Sequence, residues 1–119
     1  MKPHLACIVV VALLTACTQV ENLRDKDATG YYVGDTSVED AVTCVSGGWA
    51  NKSTQMAVVP TLGGTSIQLR DTKSGSIVAM VDIVATGPTT TAKYYAKPGQ
   101  DAAYADKVMD CMHASSSIQ

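Results

Sequence analysis

The spacing of apolar residues changes along the chain, and each change marks a different kind of element. Val38, Ala41, Val42 and Val45 recur at intervals of three and four, which lines one face of a helix. Thr36-Ser37-Val38-Glu39 stands before that stripe as a capping box, with the Thr36 hydroxyl accepting from the Glu39 amide and Glu39 reaching back. Gly47-Gly48 is expected to end the helix, and Trp49 just beyond folds back as a core or cap residue. From Gln55 the period falls to two. Residues 55–62 read as a strand in which Pro60, having no amide donor, demands an edge position or a strand end. Residues 65–70 alternate with Ile67 and Leu69 inward, and residues 76–86 form the longest run. In that run Ile77, Ala79, Val81, Ile83 and Ala85 make one apolar face, while Val78, Met80, Asp82 and Val84 make a mixed one. Residues 89–96 return with Ala92, Tyr94 and Ala96 on one side and Lys93 and Tyr95 on the other. Helical spacing then resumes over residues 102–112, where Tyr104, Val108 and Cys111 share a face behind Asp101 as cap.

Short turns at Gly63-Gly64, at residues 71–75 and at Gly87-Pro88 join the strand segments, so neighbours run antiparallel. The expected fold is therefore α+β: an antiparallel meander of about four strands, flanked by an N-terminal and a C-terminal helix on one face. Tyr31-Tyr32-Val33, between Gly30 and Gly34, is a further short apolar run that either adds a strand or packs on the domain.

Composition narrows the function classes. Nine Lys and Arg face eleven Asp and Glu in 119 residues, and no run of like charge occurs. That distribution offers no nucleic-acid footprint and no polybasic membrane patch. With no Phe and one Trp, the core must be built from Val, Ile, Leu, Met, Ala and the five Tyr.

The first seventeen residues have a different character. Lys2 is followed by an uncharged, mostly apolar run over residues 5–14, too short to span a bilayer core of about 30 Å. Leu14-Thr15-Ala16-Cys17 closes it, and these four residues resemble the lipobox of bacterial lipoprotein precursors. The resemblance implies that residues 1–16 are a signal peptide, removed so that the mature protein starts at Cys17. The thiol receives a diacylglycerol and the new amino terminus an acyl chain. Residues 17–35 would then be a lipidated tether, residues 36–113 a small periplasmic domain and residues 114–119 a flexible tail. Thr18, where an aspartate would signal retention, resembles the outer-membrane sorting pattern of enteric-type lipoproteins, which implies a lipid-anchored, periplasm-facing location.

Of four cysteines, Cys7 leaves with the signal and Cys17 takes lipid. Cys44 and Cys111 remain, and a lone pair in an oxidising compartment is expected to form a disulfide joining the two helices. A reactive thiol or half a metal site is the competing use, but His113 is the only other soft ligand after Cys17 besides Met. No metal or cofactor is implied.

Candidate chemistry is thin. His113 near the serine-rich tail has no nucleophile motif beside it, and Asp106 and Asp110 lie opposite the apolar stripe of the last helix. Neither Gly47-Gly48 nor Gly63-Gly64 carries the lysine and helix context of a phosphate loop. The expected function is a non-enzymatic binding or structural module, anchored through its lipid and contacting an envelope protein or the cell wall. A small envelope enzyme is the alternative. So is a lysozyme-inhibitor-like lipoprotein, for which Ser74-Gly75 before a strand speaks and two helical segments speak against. Asp82 is the polar residue that interrupts an apolar strand. It either pairs with Arg70 or Lys93 across strands, or sits at the centre of a partner surface made by Tyr95, Met80 and Val84 with Val78 beside them.

Overall fold

The computed structural model describes residues 20, 23–24, 28–97, 99 and 102–113. The signal segment 1–16, Cys17, Asp101 and the tail 114–119 lie outside the described residues.

Among the described residues seven elements with stated bounds follow one another: β1 (Gly30–Gly34), α1 (Val38–Trp49), β2 (Thr54–Thr61), β3 (Gly64–Asp71), β4 (Ile77–Thr86), β5 (Thr89–Ala96) and α2 (Ala102–His113). The strands form one antiparallel sheet in the order β1-β5-β4-β3-β2. Four of them are the expected meander. The fifth is β1, which pairs along the outside of β5 with Gly30 opposite Tyr94 and Gly34 opposite Thr90. The sheet thus reaches into residues 30–34, part of the stretch read from sequence as tether.

Both helices pack on one face of the sheet, and this is where most of the core lies. Ala41, Val45 and Trp49 of α1 and Val108, Cys111 and Met112 of α2 meet Ile67, Leu69, Ala79, Val81, Ile83, Ala92 and Tyr94 of the sheet. A disulfide joins Cys44 to Cys111, whose Cα atoms lie 5.8 Å apart, across a sequence separation of 67 residues.

Three local expectations need correction. The N-cap of α1 is Ser37, not Thr36: the Ser37 hydroxyl accepts from the Asp40 amide at 3.1 Å, which shifts the box by one residue. The helix also runs through Gly47-Gly48 to Trp49. Trp49 is buried, donates its indole N–H to the Tyr104 carbonyl at 3.1 Å, and packs edge-on against Tyr94 and Tyr104. Burying so large a ring outweighs the low helix propensity of two glycines. Gly48 has a further reason to lack a side chain, since a Cβ there would overlap the Lys107 stem of α2. The third correction concerns β4. A register shift at Leu69/Arg70 leaves Arg70 opposite Ile77, so the strand's alternation changes phase there. Val78 consequently packs on the helix side with Ala79, and Ile77 joins Met80 on the other face, the reverse of the even alternation read from sequence.

Candidate functional site on the outer sheet face

The face turned away from the helices carries the residues expected to meet a partner. Pairing places them in rows across the sheet: Gln68, Met80 and Tyr95 in one, Ser66, Asp82, Lys93 and Tyr31 in the next, Val84, Thr91 and Val33 in a third. Alternation within each strand brings them to one side, because successive side chains point to opposite faces.

The first row is closed. Leu23 packs with Ile77, Met80 and Tyr95 in a second apolar cluster, joined at its margin by Val20 and Ala28. Met80 is fully buried and Tyr95 is 8 % exposed, so neither presents an open surface. The expectation that Tyr95 and Met80 face a partner treated residues 17–35 as a free tether; burial of Leu23 against them removes that assumption. Ser66 and Gln68 are buried as well, and the Gln68 amide nitrogen donates to the Ser66 hydroxyl at 3.3 Å.

Asp82 is engaged, but with neither of the two partners expected from sequence. Arg24 grips it bidentately, Nε to Oδ2 at 2.9 Å and Nη2 to Oδ1 at 2.8 Å. This fork-on-fork geometry fixes orientation as well as charge. Strand neighbours are what alternation brings to mind first, hence Arg70 or Lys93, the latter opposite Asp82 in register; Arg24 lies 58 residues away and no periodicity signals it. The pair acts on its surroundings. The hydrogen bond to Asp82 raises the Arg24 pKa above its ordinary value, with burial opposing. Burial raises the Tyr95 phenol above 10.0, the Asp82 charge adds to the rise, and Arg24 opposes it.

What remains open is the far end of the face. Val84 is partly exposed, Lys93 is exposed, and Tyr31 and Val33 on the edge strand β1 are 62 % and 46 % exposed. Tyr31 and Val33 are additions to the candidate surface; their alternation between two glycines was the available signal. Elsewhere, His113 is exposed in the last turn of α2, and Asp106 and Asp110 are exposed on the same helix. Ser74-Gly75 belongs to the turn between β3 and β4.

Among the described residues no cluster of His, Cys, Asp or Glu is arranged to hold a metal ion, and no helix is long and apolar enough to cross a membrane. No protein-family model matches this chain, and no curated protein or solved structure is significantly similar to it.

Proposed function

We propose that the protein is a membrane-anchored envelope lipoprotein whose domain serves as a non-enzymatic binding or structural module. The observation that carries this reading is the order of Lys2, the apolar run and Leu14-Thr15-Ala16-Cys17. The Cys44–Cys111 bond supports it, since disulfides persist where the compartment is oxidising.

The packing of Leu23 adds a geometric constraint. Six residue steps separate Cys17 from Leu23, a span of at most about 20 Å when fully extended. A lipid on Cys17 then holds the domain close to the bilayer. The partner surface on this reading is the open end of the outer face: Tyr31 and Val33 supply apolar area, Val84 continues it, and Lys93 gives it a positive rim. Tyrosine suits such a place because its ring buries area while its hydroxyl stays wet.

Metabolic labelling with a radioactive fatty acid tests the anchoring. The parent chain incorporates label, and Cys17→Ala accumulates as unlabelled precursor because the acyl acceptor is gone. Equal label on both would end the lipoprotein reading.

A further inference from the structure

Among the described residues no strand pairs with the outer edge of β2, and we propose that this edge pairs with the β2 edge of a second copy of this chain. The proposal does not depend on lipid anchoring; it rests on the parity of the β2 hydrogen bonds, on the absence of charge along the strand and on its exposed apolar side chains.

Parity comes from two bonds flanking the hairpin. The Thr72 amide donates to the Ser53 carbonyl at 3.2 Å, so residue 53 and every second residue after it direct their backbone groups at β3. On the other side of β3 the Ala85 amide donates to the Gly63 carbonyl at 3.1 Å, which assigns Gly63 and alternate residues after it to β4 and so agrees. The backbone groups of Thr54, Met56, Val58 and Pro60 therefore point away from the sheet. Pro60 accordingly costs the internal ladder nothing, since its missing donor falls on the open side.

That parity selects a register. Antiparallel self-pairing must set outward residues opposite outward residues. Centred on Met56, it places Thr54 opposite Val58 and Met56 opposite its own counterpart, and every amide required is present. Centred one residue further on, it places Thr54 opposite Pro60 and loses a donor. The Met56-centred ladder is two-fold symmetric and closes on itself, whereas β2 pairing with β1 of another copy would continue without end.

The side chains suit a second copy. Residues 53–62 contain no charge, so two such strands meet without repulsion. Edges that stay monomeric commonly carry Lys, Pro or an inward charge; this one has no charge, and its one proline, Pro60, lies beyond the Thr54–Val58 segment that the Met56-centred ladder pairs. Met56, Val58 and Val59 are 36 %, 49 % and 39 % exposed, and Leu62 at the hairpin tip is fully exposed. On the helix side of the sheet, β2 lies outside the buried core that α1 and α2 form with β3, β4 and β5. A two-fold axis normal to the sheet keeps both helical layers on one side and brings Met56 and Val58 of each copy into a single apolar strip between them.

The test is oxidative cysteine cross-linking of the full chain, in whole expressing cells and after purification, read on non-reducing gels. Met56→Cys is expected to give a disulfide-linked dimer, and Val33→Cys on β1 to give at least tenfold less. Adding Val58→Lys to Met56→Cys should cut the dimer at least tenfold, because each ammonium would then sit opposite Thr54 of the other copy, inside the apolar strip that pairing buries. Ellman counting and thermal melting of Val58→Lys verify that the fold and the native disulfide persist. No dimer from Met56→Cys, equal dimer from Val33→Cys, or a dimer untouched by Val58→Lys in a folded protein each overturns the proposal.

Discussion

Tyr95 shows how one residue's surroundings set the outcome of changing it. Its ring lies under Leu23 and beside Met80, so truncation removes core rather than surface. Tyr95→Ala and Met80→Ala should each cost about 2–5 kcal/mol, the range for emptying a buried large side chain. Urea unfolding measures it, and a cost below about 0.5 kcal/mol, usual for open surface sites, would show that the face is uncovered. Arg24 and Asp82 are partly exposed, at 36 % and 18 % for their side chains, so solvent screens the pair and Arg24→Ala should cost only about 1 kcal/mol or less. The phenol also predicts a pH response. Folded Tyr95 keeps its proton above the ordinary 10.0, where an unfolded chain releases it, so the native state binds more protons there. Its contribution is complete below that value and is lost as pH rises through the raised pKa. Unfolding free energy measured at successive pH values above 10 should fall more steeply for the parent than for Tyr95→Phe. Equal slopes would mean that Tyr95 titrates alike in both states.

At the scale of elements, two junctions carry the prediction. Ser37 satisfies an otherwise unpaired amide at the start of α1, and Glu39 and Asp40 in the first turn favour the helix dipole. Ser37→Ala should cost about 1 kcal/mol and Thr36→Ala should leave that cap intact, a contrast that thermal melting resolves. The second junction is the close approach of β1 to α2. A Cβ on Gly34 would run into the backbone carbonyl of Met112, an atom that cannot swing aside. Gly34→Ala should therefore destabilise by about 1–3 kcal/mol through overpacking. Hydrogen exchange of the β1 amides is the local readout: unchanged protection would mean that strand and helix separate freely.

For the molecule as a whole, the disulfide links two helices that are distant in sequence and side by side on the sheet. Closing so long a loop restricts the unfolded chain, and reduction should lower stability by about 2–5 kcal/mol. Thiol counting on the denatured, unreduced protein checks the bond itself, where two thiols from Cys44 and Cys111 would refute it. Covalent support matters in a domain of this size, because small cores leave a narrow margin over chain entropy. The same economy explains the double use of the sheet: one face buries the helical layer, and part of the other buries Leu23 with Ile77, Met80 and Tyr95.

Periodicity and turn residues determined the α+β class, both helices and the four-stranded meander, because these follow from interactions between residues near in sequence; the missing amide of Pro60 left edge or strand end open, and the sheet order places it on an edge. The helix stripe over Val38 to Val45 and the alternation through Ile67 and Leu69 state directly which side must leave water. The pairing of Cys44 with Cys111 was also legible, since the two stand on or beside the buried stripes. Tertiary structure decided the rest. Periodicity could not show that Gly47-Gly48 would be carried into the helix by burial of Trp49, nor that a register shift would exchange the faces of Ile77 and Val78. The candidate surface depended most on contacts that no local pattern encodes. Leu23 and Arg24 lie in a polar stretch without period, yet they reach Met80, Tyr95 and Asp82 across more than fifty residues. Which part of a sheet stays open is set by whatever packs over it, and that is a property of the whole chain.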